Sequence, residues 1–242
     1  MHLLLIGGGE IGAQRSDGSF RPLETLTIDK YFLKAINKNN PNILFIPTAI
    51  EQRDPNKLYE KAFKKLYGDQ LNCNVDILNI ADTDSKEYFS HTLSSCDAIY
   101  ISGGDTKYML NRWRETGFDI LLKKEILNGK ITAGISAGAM CWFEKVLAED
   151  ENLSLINGLG LFKNMCIPHW NKYKDVFLDK HIIQTTPFIA IDNCCAVEIM
   201  NETIHLISSR ENASAYYYDI SNNKHSVPLI EKGVESLNVK IG

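Results

Sequence analysis

Ile131-Thr132-Ala133-Gly134-Ile135-Ser136-Ala137-Gly138 is the stretch that decides how this chain is read. A short apolar run ends in a serine with glycine at both second neighbours. The residues that follow, Ala139-Met140-Cys141-Trp142-Phe143, have the composition to open a helix. Strand, tight turn and helix form the elbow in which a serine hydroxyl is held clear of the backbone, because larger side chains at the glycine positions would clash. The helix beginning there aims free N–H groups at negative charge that develops beside the serine. G-x-S-x-G is short and also suits an ordinary glycine turn, so its meaning depends on its surroundings.

Upstream of the elbow, strand and helix signals alternate. Leu3-Leu4-Leu5-Ile6 reads as a first strand, and residues 23–35 place Leu26, Tyr31, Phe32 and Ala35 at helical spacing. Ile43-Leu44-Phe45-Ile46, closed by Pro47, has the unbroken apolar character of a buried parallel strand. A helix over 57–67, a strand over 75–78, a short helix over 85–93 and a strand over 98–101 follow. Helices over 106–114 and 120–128 then lead into the strand that enters the elbow. Such alternation predicts an α/β fold: a doubly wound, mostly parallel sheet with helices on both faces. Functional loops of these sheets lie at the carboxyl ends of the strands. Gly7-Gly8-Gly9, Pro47-Thr48-Ala49 and Ser102-Gly103-Gly104-Asp105 all fall there. Past residue 150 the pattern breaks into short apolar runs, and residues 203–209 and 213–220 read as a C-terminal β-hairpin finishing the sheet. Without repeats, low-complexity tracts or a linker, residues 1–242 read as one domain.

Composition narrows the function. With 242 residues, 44% of them hydrophobic, there is material for a sizeable core. A net charge of −4 supplies no basic field, so nucleic acid is not an expected partner. No apolar run approaches the roughly 18 residues of a membrane span. The start, Met1-His2-Leu3, lacks a basic leader region and reads as a core strand, which points to a cytoplasmic protein. The six cysteines are then expected to be reduced, buried thiols. Neither C-x-x-C nor H-E-x-x-H occurs, so no metal or other cofactor is expected.

A serine nucleophile needs a base, most often histidine. His2 opens a strand, His91 sits in a polar helix and His181 follows Asp179-Lys180 on an expected surface helix. His169 differs: in Met165-Cys166-Ile167-Pro168-His169-Trp170 the imidazole emerges where an apolar strand ends at a proline. A packed histidine at a turn is the plainer alternative. Oxyanion donors are expected from the Ala137 N–H and from the Gly103-Gly104 loop, which otherwise is a glycine turn with Asp105 or Thr106 capping the next helix.

Taken in order, these runs form a recognisable pattern: Ser102-Gly103-Gly104-Asp105-Thr106, the elbow with Cys141-Trp142-Phe143, Gly158-Leu159-Gly160-Leu161-Phe162, Cys166-Ile167-Pro168-His169-Trp170 and Ile191-Asp192-Asn193. Over residues 3 to 220 the chain resembles the S51 serine peptidases, which include dipeptidase E. That resemblance implies a flavodoxin-like, class I glutamine amidotransferase-like fold with serine where the amidotransferases carry cysteine. It matches Ser136 to the nucleophile, His169 to the general base, and Gly104 and Ala137 to the oxyanion hole. The acid matches Asp192, with Glu149, Asp150 and Glu151 as alternates near a second family position. An Asp after an apolar strand is equally a turn former, and the acidic trio is equally a solvated loop.

One departure concerns substrate. Dipeptidase E holds an N-terminal aspartate through an arginine downstream of its histidine. Here that stretch reads Asn171-Lys172-Tyr173-Lys174-Asp175, and Arg210 is the sole later arginine, so an aspartyl preference does not carry over. The expected activity is a serine-type exopeptidase or dipeptidase acting on a short peptide or amide. Two alternatives stay open: an α/β-hydrolase-type esterase with Asp192 and then His205 or His225, or a non-catalytic small-molecule-binding protein. A homodimer is left open. Trp142, Trp170 and Tyr216-Tyr217-Tyr218 read as core or as the lining of a pocket or interface.

Overall fold

A computed structural model describes residues 1–148, 153–178, 186–201, 203–219 and 225–228. Five strands carry the parallel part of the first sheet: β1 (His2–Ile6), β2 (Asn42–Ile46), β3 (Asn74–Ile77), β4 (Ala98–Ile101) and β5 (Ile131–Ile135). Two more, β10 (Cys195–Met200) and β11 (Thr203–Ser208), add an antiparallel edge, giving the order β11-β10-β1-β5-β4-β2-β3. The unbroken apolar strands are explained by what covers them. Leu3, Leu5, Leu44, Ile46, Ile99 and Ile101 face one helical layer, α3 (Lys86–Ser95), α4 (Thr106–Thr116) and α5 (Phe118–Leu127). Leu4, Ile6, Ile43, Phe45, Ala98 and Tyr100 face the other, built on α1 (Leu26–Ile36) and α2 (Leu58–Phe63) with its π-helical continuation Lys64–Gln70. Adjacent residues alternate between the two layers, so each inner strand must be apolar, whereas the edge strand β3 keeps Asn74 and Asp76 exposed.

Local signals end these helices where the sheet needs loops. Asn37, in the left-handed region at φ 52°, closes α1, and its N–H donates to the carbonyls of Leu33 and Lys34. Asp105 is the cap of α4, accepting from the Tyr108 N–H at 2.9 Å.

The chain departs from the sequence reading after Ser136. The elbow helix α6 (Ala137–Met140) is a single turn, and Phe143–Leu147 is a strand, β6, instead of a continued helix. It begins a second sheet with β7 (Leu155–Asn157), β8 (Phe162–Ile167), β9 (Phe188–Ile191), β12 (Ala215–Asp219) and β13 (His225–Pro228), in the order β13-β12-β9-β8-β6-β7. The hairpin expected from 203–220 is not formed. β11 pairs with β10 in the first sheet, while β12 pairs with β9 and β13 in the second. Strand alternation identified both segments, but turn residues such as Glu211-Asn212 do not reveal that the chain changes sheets there.

Short strands in the second sheet still bury both faces. Phe143, Phe162, Cys166 and Ile189 join the core on the α3–α5 side of the first sheet. Met165, Ile167, Phe188 and Ala190 pack with Trp170, the first residue of α7 (Trp170–Leu178). Trp142 is fully buried, and Trp170 stacks among Phe177, Phe188 and Tyr218, so core packing accounts for both tryptophans.

Candidate active site

The carboxyl ends of β1, β2, β4 and β5 converge on one cavity of about 230 Å³, with Gly8, Ile50, Gly103, Gly104 and Ser136 in its wall. β5 is hydrogen-bonded one residue beyond its end, where Ser136 N–H donates to Ile6 C=O at 2.9 Å. The chain then reverses within one residue: Ser136 has φ 54° and ψ −109°. A non-glycine residue held there costs about 1–3 kcal/mol, and the strain keeps the hydroxyl out of the strand's pleat. The flanking glycines are required by contact. A Cβ on Gly134 would lie 2.0 Å from the Gly138 carbonyl oxygen, and one on Gly138 would lie 2.5 Å from the Ile101 carbonyl oxygen. Ala139 and Met140 N–H groups return to the Ser136 carbonyl, while Ala137, as first residue of the turn, has no intrahelical acceptor for its N–H.

The second sheet supplies the partner. His169 follows β8 and Pro168, and it too lies in the left-handed region, at φ 55°. Its N–H donates to Gly7 C=O at 2.9 Å, tying it to the loop after β1. His169 Nε2 stands 2.8 Å from Ser136 Oγ. On the far side of the ring, Nδ1 is 2.6 Å from Asn193 Oδ1. An amide oxygen only accepts, so Nδ1 carries the proton, and the free Nε2 lone pair accepts from the serine hydroxyl. Asn193 is itself held by its backbone N–H, which donates to Asn171 Oδ1 at 3.0 Å. The glycine loop leaves room for this chain of bonds. A Cβ on Gly8 would meet Asn193 Oδ1 at 2.1 Å and His169 Nδ1 at 2.4 Å.

The acid expected at Asp192 is not on the imidazole. Asp192 is nearly buried, and its Oδ2 accepts from the Ser214 N–H at 3.0 Å, joining β9 to the segment before β12. Burial pushes its carboxyl above the ordinary range, against the lowering effect of the Ser214 and Asn171 N–H groups and of Lys174. The correction is one residue: β9 ends at Ile191, and the turn through Asn193 and Cys194 (φ 65°) faces the neighbouring side chain toward His169. Nothing in the sequence around Asn193 marks this contact, although an Asn side-chain oxygen can accept from an imidazole N–H as an Asp oxygen can. Glu149, Asp150 and Glu151 lie outside the described residues.

Gly104 borders the same cavity as Ser136, and its N–H-bearing loop is pinned by Asp105 N–H donating to Ala49 C=O at 2.7 Å. Ala137 is buried directly after the serine. The other histidines go elsewhere. His2 and His205 both bond the buried carboxylate of Glu198, and His91 is exposed on α3. His181 is outside the described residues, and His225 is a β13 residue whose backbone pairs with Asp219. Arg210 pairs with Glu24. All six cysteines are free and buried, and burial raises the thiols of Cys141 and Cys166 well above the ordinary value. No helix among the described residues is long and apolar enough to cross a membrane.

Comparison with known proteins gives this arrangement a family. The model of Peptidase family S51 matches residues 3–207. The uncharacterized peptidase YgaJ of Bacillus subtilis (strain 168) is 30% identical over 221 residues, covering 88% of this chain and 90% of its own. The uncharacterized peptidase PM1590 of Pasteurella multocida is 30% identical over 179 residues, covering 69% of this chain and 85% of its own. Among solved structures, a peptidase from an acI-B1 Actinobacterium has a TM-score of 0.72 at 20% identity, covering 94% of this chain and 93% of the other. A putative peptidase E protein from Listeria monocytogenes EGD-e has a TM-score of 0.66 at 24% identity, covering 86% and 98%. These structures share the α/β, class I glutamine amidotransferase-like fold. With the family model spanning most of its length and a relative matched nearly end to end, the chain belongs to peptidase family S51 and is a serine-type peptidase.

Proposed function

We propose that Ser136, His169 and Asn193 are a catalytic triad that hydrolyses short peptides through an acyl-enzyme. The observation that carries this is the continuous bond path from Ser136 Oγ to His169 Nε2 and from Nδ1 to Asn193 Oδ1. Ser136 Oγ attacks the scissile carbonyl as its proton passes to Nε2. The oxygen of the tetrahedral intermediate takes N–H bonds from Ala137 and Gly104. His169 returns the proton to the departing amine, and water, activated by the same ring, releases the acyl group. Asn193 keeps the tautomer and orientation that both proton transfers need. Being neutral, it stabilises the imidazolium less than a carboxylate would. The strand–turn–helix at Ser136 is then a nucleophile elbow in function. The six unpaired cysteines support a cytoplasmic setting.

A fluorophosphonate probe tests the assignment. Wild type is expected to label covalently, Ser136→Ala not at all, and His169→Ala more slowly by roughly 10⁴-fold or more. Equal labelling of all three would sink the triad.

A further inference from the structure

His169 borders a second cavity, of about 400 Å³, that Ser136 does not reach. Met140 from the elbow turn, Leu147 at the end of β6, and Tyr173, Val176 and Phe177 on α7 form most of its wall. The last three stand at i, i+3 and i+4, which puts them on one stripe of the helix. Ring packing fixes that stripe. Trp170 stacks parallel to Phe177 with centroids 6.5 Å apart, and Tyr173 meets Phe177 edge-on at 6.2 Å. Tyr173 also stands edge-on to the His169 ring, at 6.3 Å, so the apolar wall runs up to the imidazole. Among the described residues no lysine, arginine, aspartate or glutamate lines this cavity. Val176 is nevertheless 53% exposed and Tyr173 38%, so large side chains in a concave wall face solvent where a core would cover them. A concave apolar surface with one or two polar groups at its edge is the ordinary form of a small-ligand site.

The proton path says what arrives there. A departing amine must come within about 3 Å of His169 Nε2 to take its proton. Ser136 and Gly104 border the smaller cavity and not this one, so the acyl half of a substrate belongs with them. His169 is the one described residue common to both walls. The departing half therefore extends from the imidazole toward the apolar side. Its volume lies within the roughly 300–1,000 Å³ of small-ligand sites, room that a glycine or serine would leave unfilled.

We propose that this second cavity receives the side chain of the residue on the leaving side of the scissile bond, and that it selects a large apolar one such as leucine, methionine or phenylalanine. This rests on the assignment of Ser136 and His169 above. A charged or small polar side chain would give up hydration against a wall that returns few hydrogen bonds. Val176, at the exposed rim, is the specificity-determining position most open to change.

The test is a competition between two pooled sets of dipeptides, X-Leu and X-Ser, with X running through all the common amino acids so that the acyl residue need not be known. Mass spectrometry follows the loss of each peptide, which gives ratios of kcat/KM directly. For every X that is cleaved, wild type should consume X-Leu faster than X-Ser by about tenfold to a hundredfold. Val176→Glu should lose most of that preference through slower loss of the X-Leu set, and the milder Val176→Ser should lose part of it, with thermal melting to show that both are folded. Equal consumption of the two sets by wild type overturns the proposal while leaving the hydrolase intact. So does a folded Val176→Glu enzyme that keeps the full preference. Wild type that labels with a fluorophosphonate yet cleaves neither set overturns it as well, with the triad intact. Failure of both labelling and cleavage brings down the underlying triad and this proposal with it.

Discussion

Ser136 and His169 stand 2.8 Å apart, yet they come from regions built on different principles. The serine side is made by the parallel sheet: a strand end, a strained residue, and glycines packed backbone against backbone. The histidine side is made by tertiary contact alone. His169 hangs from Gly7 by one N–H bond and is aimed by Asn193, a residue 24 positions away on another turn. The position of the proposed nucleophile is therefore a property of local covalent geometry, and that of the proposed base is a property of how two sheets dock.

Paired alanine substitutions at Gly134 and Gly8 would break this contrast most forcefully. At Gly134 the obstacle is the Gly138 backbone, which cannot swing aside. Gly134→Ala is expected to lose stability by about 3 kcal/mol or more, and activity with it. At Gly8 the obstacles are the Asn193 and His169 side chains, which can move at the expense of their mutual bond, and a φ of 155° that an alanine adopts only under strain. Gly8→Ala should lower kcat by about a hundredfold or more while its backbone strain costs about 1–3 kcal/mol of stability, less than at Gly134. Denaturation and turnover measured on both proteins decide it. Equal stability losses would show that the two sides are built alike.

A finer cut falls on Asn193. Asn193→Ala leaves the ring unaimed and should cost about 10²–10⁴ in kcat. Asn193→Asp should recover much of that and move the acidic limb of kcat/KM up by about one pH unit, because a carboxylate favours the imidazolium and only the neutral ring acts as base. A pH–rate profile for Asn193→Asp that coincides with wild type would remove Asn193 from the relay.

The smallest effect concerns the scaffold and leaves the site chemistry alone. Asp29, on α1, is fully buried against Tyr67 and Thr25, which donate to its oxygens at 2.7 and 2.8 Å. Burial pushes its carboxyl up to about 6, from an ordinary value of 3.8, despite those bonds. The native state therefore holds a proton that the unfolded chain has released across that interval. The stability this contributes is complete below about pH 4 and is lost as pH rises through 6. Relative to Asp29→Asn, wild-type unfolding free energy should fall by about 2 kcal/mol between pH 4 and 7 in urea titrations. A difference that stays flat over that range would show Asp29 ionised throughout.

This contrast also explains what could be read from the amino-acid sequence. The first sheet was legible because buried parallel strands such as Ile43-Leu44-Phe45-Ile46 announce themselves, and the glycines around Ser136 encode a turn locally. His169 was legible as a histidine at a strand end, and the ring does meet Ser136. The second sheet was not, since nothing local assigns strands such as Phe162–Ile167 and Phe188–Ile191 to a separate sheet, and Phe143–Leu147 continues an apolar stretch without a helix breaker. Nor could the choice between Asp192 and Asn193 be made. Beyond the last paired residue of β9, alternation no longer says which side chain faces the site, and the answer depends on the left-handed Cys194 and on the space left by Gly8.

Gly7 and Gly8 have a consequence in time as well as in space. Gly7 is bonded to His169 and to Cys195, and Gly8 accepts from Cys194, so residues near the start of the chain are clasped by residues near 169 and 195. On the proposed triad, a nascent chain that has delivered its elbow would lack an aimed His169 until the β10 segment leaves the ribosome and pairs with β1. By the same proposal, a truncated chain ending before residue 193 would carry Ser136 without the Asn193 contact that aims His169.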